Sequence, residues 1–504
     1  MASLYLHIFR ALLILAWCAG IPSIAASSGD ETVKSEHSNI GMGHGPDVIL
    51  KNTHPDAQWF GDAGLGLFIH WGIASVKAIN ISHPMIVYLP HGPMTSENRT
   101  LLLQTKDFRG MDGKSKCVVP SEYFAQAEEF NPKDYDPEKW MKAAKEAGFT
   151  YAVLTAKHHE GFALWPSAYG DFSTKNHMDG RDLVKEWVEA CRKNGLKVGL
   201  YYSGPDFHFD RETMNFVSRV SAREHPEFPA LDANYNPRTT GMSQADMDAH
   251  QKAFAEMING QITELMTRYG KIDLLWFDGG VTGAPDRGCG TNSFISLDRI
   301  RELQPGIIIN PRMHKAGDFV TFERALKIDK PIGTWGELCD TWTTAWPHVE
   351  GLPFRAPHHI LGNLGRARSL NVNYLLGVGP TRDGAFVPDI YQNMKIVGEW
   401  MRVNRDAVTK AKPLPEGESA SVPATALDKT RYLFVHAENK GPYAEDLLPA
   451  TDMTLTLSGV NKPSRIILTG DGKPLEFTYA DKKALILLPA SKRSTSVDVV
   501  KVEL

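Results

Sequence analysis

Between residues 139 and 312 one pattern recurs four times: a helical segment closing on a glycine, followed by a short apolar run. "KWMKAAKEAG" (139–148) leads into "FTYAVLTA" (149–156), and "GRDLVKEWVEACRKNG" (180–195) into "LKVGLYYS" (196–203). "QKAFAEMINGQITELMTRYG" (251–270) precedes "KIDLLWFDGG" (271–280), and "SLDRIRELQPG" (296–306) precedes "IIINPR" (307–312). Glycine ends a helix because it adopts the left-handed conformation at no steric cost. Helices alternating with short buried strands make parallel βα units. Several units in a row favour a (β/α)8-type barrel over an open doubly wound sheet, and no glycine-rich dinucleotide loop follows any of the strands.

In such a barrel the polar residues at strand ends converge on one face, where active sites are built. His158, His159 and Glu160 end one run, Tyr201 and Tyr202 the next, then Asp278 and Arg312. Two long irregular stretches, 77–120 and 205–250, interrupt the rhythm as insertions or lids. Beyond residue 410 the composition changes to short strands around turn signals such as Gly470-Asp471-Gly472, which predicts an appended antiparallel β-sandwich. The expected division is a signal peptide over 1–26, a polar leader over 27–50, the barrel over 51–410 and the sandwich over 411–504. The signal peptide rests on Arg10, the apolar stretch 11–21 and the small residues of "SIAASS", and implies export to a secreted, periplasmic or lysosomal-type compartment. No later run has transmembrane length.

With 55 basic and 59 acidic residues the net charge is −4, which leaves no overall footprint for nucleic acid and suits a neutral substrate. The cysteines after the leader, Cys117, Cys191, Cys289 and Cys339, form no CxxC pair, which argues against structural zinc. His158 and His159 point to opposite faces of a plain strand and no HExxH helix is present, so neither a metal nor a cofactor is expected. Asp278, leaving an apolar strand beside two glycines, is the sharpest catalytic candidate. Asp318, Glu323, Glu337 and Asp340 supply partners for the two-carboxyl chemistry of glycoside hydrolysis.

In order along the chain stand "WFGDAGLGLFIHWG" (59–72), "KHHEGFALWPS" (157–167), "GLYYS" (199–203), "LLWFDGG" (274–280), "NPR" (310–312) and "YLLGVGPTRDGAF" (374–386). This series resembles glycoside hydrolase family 29, the retaining α-L-fucosidases. The resemblance implies Asp278 as nucleophile and Glu323 as acid/base, with Glu337 the runner-up. It also implies a sugar cradle of His70, Trp71, His158, His159, Tyr201, Trp276 and Arg312. The activity it implies is release of terminal α-L-fucose from fucosylated carbohydrate by double displacement. The alternatives are a glycosidase for a related sugar such as L-galactose, or a non-catalytic fucose-binding protein. Oligomeric state is not readable. Three departures stand out: no Glu-Trp-Tyr follows "HWG", Asn371-Val372-Asn373 replaces Gly-Gly-Asn, and Gly377 replaces an asparagine.

Overall fold

The structure, a computed structural model, describes residues 48–239, 241–279 and 294–504. The expected signal peptide, nearly all of the leader, and Cys289 lie outside these residues. Eight parallel strands make the central sheet: β1 Leu65–Ile69, β2 Tyr151–Lys157, β3 Lys197–Ser203, β4 Leu274–Asp278, β5 Ile308–Ile309, β6 Val320–Glu323, β7 Gly336–Thr341 and β8 Val372–Val378. Their spatial order is β5-β4-β3-β2-β1-β8-β7-β6, which is sequence order around a barrel with β5 and β6 at the two free edges. Asp318 brings those edges together. Its N–H donates to the Ile309 carbonyl at 2.7 Å, and its Oδ2 accepts from the Ile309 N–H at 2.8 Å. Arg301 and Asn52 hold the same buried carboxylate. The acid read as a catalytic candidate at 318 therefore closes the barrel.

The helices begin and end where local chemistry dictates. Helix α1 (Pro137–Glu146) starts on Asp136, whose side chain accepts from the Lys139 N–H, and the chain leaves it through Gly148 at φ 91°. Helix α2 (Leu183–Lys193) is capped by Asp182 and leaves through Gly195 at φ 65°. Helix α3 (Gln244–Arg268) starts seven residues before the apolar periodicity does, because Ser243 caps it through the Asp246 N–H. Helix α4 (Leu297–Leu303) precedes β5, and α5 (Pro357–Ser369) and α6 (Pro388–Val408) flank β8. No helix stands between β6 and β7.

Alternation along the strands divides the core in two. Phe68, Tyr151, Val153, Tyr201, Leu274 and Trp276 point inward and fill the barrel, whereas Leu67, Leu154, Tyr202, Leu275 and Phe277 pack outward in the large outer core. The two long insertions join: Val87 bridges Val217, and the Tyr235 hydroxyl donates to the Met85 and Val118 carbonyls. Beyond α6, sheets of five and four antiparallel strands enclose a separate apolar core, the expected sandwich. The described cysteines Cys117, Cys191 and Cys339 are buried free thiols. Among the described residues no helix is long and apolar enough to cross a membrane.

Candidate active site

Asp278 is the last residue of β4, inward like Trp276 and Leu274 below it, and it opens at the C-terminal face of the barrel. Strand β5 is only two residues long, so the end of β4 needs another hold. Asn310 supplies it: its Oδ1 accepts from the Phe277 N–H at 2.7 Å and its Nδ2 donates to the Phe277 carbonyl at 2.8 Å. Two residues on, the Arg312 guanidinium reaches back over the Trp276 ring at 4.6 Å. One Nη donates to Asp278 Oδ1 at 2.9 Å and the other to Glu323 Oε2, at the end of β6, at 2.6 Å. Burial works against the Arg312 charge, but the Glu323 and Asp278 carboxylates outweigh it and hold the guanidinium protonated, well above its usual range. On its other oxygen Asp278 accepts from the Tyr201 hydroxyl at 3.0 Å. Two carboxylates thus share one cation at the pocket mouth.

The pocket is lined by His70, His158, Tyr201, Trp276, Asp278, Arg312 and Glu323, with Phe68, Cys339 and Trp346 completing its apolar side. Both adjacent histidines reach the site because β2 shifts register between Thr155 and Lys157, so plain alternation does not apply. The turn then passes through Gly161 at φ 97°, where a Cβ would come within 2.1 Å of Asp206. His159 Nε2 lies 3.7 Å from Asp278 Oδ2, and its Nδ1 pairs with the Ser203 hydroxyl. His158 Nδ1 donates to Glu160 Oε2 at 3.2 Å. Because a carboxylate only accepts, this contact fixes the His158 tautomer. Lys157 turns away to a buried ion pair with Asp206 at 3.0 Å. His158, His159 and Asp278 carry the ligand types of a metal site. Arg312 already places a fixed positive charge on that carboxylate, which a divalent cation would oppose.

Three expected residues do not line the pocket: His159, fully buried beside Asp278, Trp71 and Glu337. Trp71 lies outside the barrel wall, packed on Tyr135 and Trp140, with its indole N–H donated to the Thr381 carbonyl. Glu337 is buried behind Trp276. Its Oε1 accepts from the Trp276 Nε1–H at 2.8 Å and its Oε2 from the Tyr151 hydroxyl at 2.6 Å. Burial raises its pKa to about 7 against those two bonds and the Arg312 charge. Phe68, Cys339 and Trp346 went unread in the sequence. Phe68 stands two residues before His70, so strand periodicity carried a signal for it. Trp346 sits in an irregular loop after β7 and carried none. Its ring packs on His70 at 4.7 Å and passes over Gly377, where a Cβ would meet it at 3.4 Å. The Gly377 departure thus bears on the pocket, whereas Asn371, at φ 64°, donates its side-chain amide to the Ile332 and Thr334 carbonyls just before β7.

A family model described as alpha-L-fucosidase matches residues 36–406. The chain belongs to the alpha-L-fucosidase family. It is 28% identical over 381 residues to the tissue alpha-L-fucosidase of Mus musculus, covering 73% of this chain and 74% of that one. To the tissue alpha-L-fucosidase of Homo sapiens it is 27% identical over 441 residues, covering 82% and 83%. Alpha-L-fucosidase isoenzyme 1 from Paenibacillus thiaminolyticus superposes with a TM-score of 0.67 at 26% identity, over 89% of this chain and 99% of that chain. The barrel and sandwich are the architecture of this fucosidase, and the protein is a glycoside hydrolase that releases fucose.

Proposed function

We propose that the chain removes terminal α-L-fucose from fucosylated glycans with net retention, Asp278 attacking the anomeric carbon and Glu323 serving as acid and then base. The observation that carries this reading is the Arg312 bridge between the two carboxylates. A spacing set by one guanidinium fits the closer class of paired carboxyls, about 5–5.5 Å in retaining enzymes, better than the roughly 6.5–9.5 Å that leaves room for a water. Tyr201 and Arg312 bind the two oxygens of Asp278 and keep it an ionised nucleophile. Glu323 needs a proton to serve the leaving oxygen, and it gives up its acceptor contact with Arg312 to gain one. Water then cleaves the fucosyl-enzyme with Glu323 as base.

His70 and His158 suit the sugar hydroxyls, and Trp276, Phe68 and Trp346 suit its apolar edge. That apolar side favours a C5 methyl, as in fucose, over the hydroxymethyl of L-galactose. Paired carboxylates favour an enzyme over a binding protein. Glu337, with both oxygens committed behind Trp276, is a poorer acid/base than Glu323. Hydrolysis of an aryl α-L-fucoside by wild type and Asp278→Ala, with the first-formed anomer read by NMR, tests the proposal. Turnover that collapses in the variant and yields α-fucose first is expected; β-fucose first, or full turnover in Asp278→Ala, refutes it.

A further inference from the structure

The sixth strand runs into the seventh without a helix, through residues 324–335. Beside that segment lies a cleft of about 380 Å³ with several charged residues in its lining. Arg324, Arg355 and Arg366 face it, with His359 and Asn363, against a single carboxylate, Asp340. That carboxylate is committed: its Oδ2 accepts from Arg355 at 2.6 Å and from the Tyr374 hydroxyl at 3.1 Å. Arg324 donates only to neutral oxygens, Thr341 Oγ1 at 2.8 Å and the Thr344 carbonyl at 3.2 Å. Arg366 donates to the Leu326 carbonyl at 3.3 Å. Among the described residues neither has a carboxylate partner, in a chain whose net charge is −4. His359, Asn363 and Arg366 fall three and four residues apart on α5, so they share one face of that helix. His359 adds no charge above mild acid, because burial and the neighbouring Arg355 push its pKa down to about 4.

The cleft and the catalytic pocket share a wall. Arg324 directly follows Glu323, and its backbone stands at φ 61°, a left-handed conformation uncommon for a residue with a side chain. Its guanidinium lies 4.6 Å over the ring of Trp346, whose body lines the pocket. Glu323 faces the leaving oxygen, so this is the side on which the rest of a glycan emerges. We propose that the cleft is an anion subsite for the glycan that carries the fucose, taking a sulfate ester or a sugar carboxylate between Arg324 and Arg366. Guanidinium pairs suit both groups because their forked donors match planar or tetrahedral oxyanions. The assignment of the anion to the leaving-group side rests on the fucosidase reading above.

Calorimetric titration with N-acetyllactosamine and its 3′-sulfated and 3′-sialylated forms tests the subsite without requiring turnover. At low salt an anionic form binds about tenfold more tightly than the neutral one. The advantage disappears near 0.5 M salt, where the screening length is roughly 4 Å. It disappears also in Arg366→Glu, whose exposed side chain makes one backbone contact, so that unchanged melting verifies the fold. Preference for the sulfated form alone identifies a sulfate site, and for the sialylated form alone a carboxylate site. Equal affinity for all three forms in wild type, or a preference that survives Arg366→Glu, overturns the proposal. Turnover of a neutral aryl α-L-fucoside, measured in parallel, separates the two readings. Turnover without anion preference sinks only the subsite, and anion preference without turnover sinks the fucosidase mechanism.

Discussion

Glu337→Gln separates a buried clamp from a catalytic acid. In the wild type both Glu337 oxygens accept, one from Trp276 and one from Tyr151, and no part of the side chain is exposed. Its pKa in the fold is about 7 against 4.5 for an ordinary glutamate, raised first by burial. An acid raised in this way contributes stability that is complete below about pH 4.5 and is lost as the pH climbs through 7. At roughly 1.4 kcal/mol per decade of proton affinity, the loss across that window is on the order of 3 kcal/mol. Glutamine keeps both contacts, since its carbonyl accepts from Trp276 and its amide donates to the Tyr151 oxygen, but it never ionises. Denaturant unfolding of wild type and variant from pH 4.5 to 8 therefore shows near-equal stability at the acid end. The variant then gains by on the order of 3 kcal/mol towards pH 8. Fucoside turnover of the variant stays within about tenfold of wild type, whereas loss of a true acid/base group costs roughly 10²–10⁴-fold. A stability difference flat in pH would refute the buried titration, and a turnover loss of the larger size would make Glu337, not Glu323, the proton donor.

Replacing Arg312 with lysine leaves one point charge where two donors each held a separate carboxylate, so kcat falls by about 10²-fold in steady-state assays. Asp318→Ala leaves Arg301 without its carboxylate and unfastens Ile309 at the barrel seam. Urea unfolding should show a loss of about 1–3 kcal/mol. Gly377→Asn puts a side chain 3.4 Å from the Trp346 ring and 3.0 Å from the Asp340 carbonyl, so the loop must shift. KM for an aryl α-L-fucoside rises and the preference for fucose over L-galactose narrows; unchanged kinetics would show that Trp346 does not shape the pocket.

The repeated helix-then-strand rhythm and the shift to short strands near residue 410 are local patterns, and both read correctly as a parallel barrel with an antiparallel sandwich behind it. Asp278, Tyr201, Trp276 and Arg312 were legible for the same reason: each sits at or near the end of a strand whose period decides which side chains face inward. Trp71 defeated that rule because it lies just past β1, where the chain has left the strand and the ring falls among the helices. His158 and His159 defeated it in the other direction, through a register shift that no residue pattern announces.

What the amino-acid sequence determined by itself is the class of fold and a short set of candidate groups, because both follow from residue type and short-range period. Tertiary structure alone decided which acid does what. Asp318, Glu323, Glu337 and Asp340 are all carboxyls within about two dozen positions of one another. Only the closing of the barrel makes one a seam, one a partner of Arg312 at the pocket, one a buried acceptor behind Trp276 and one the counter-ion of Arg355. A carboxyl's role is set by the cations, donors and solvent around it, and those arrive from strands and loops far away in the chain.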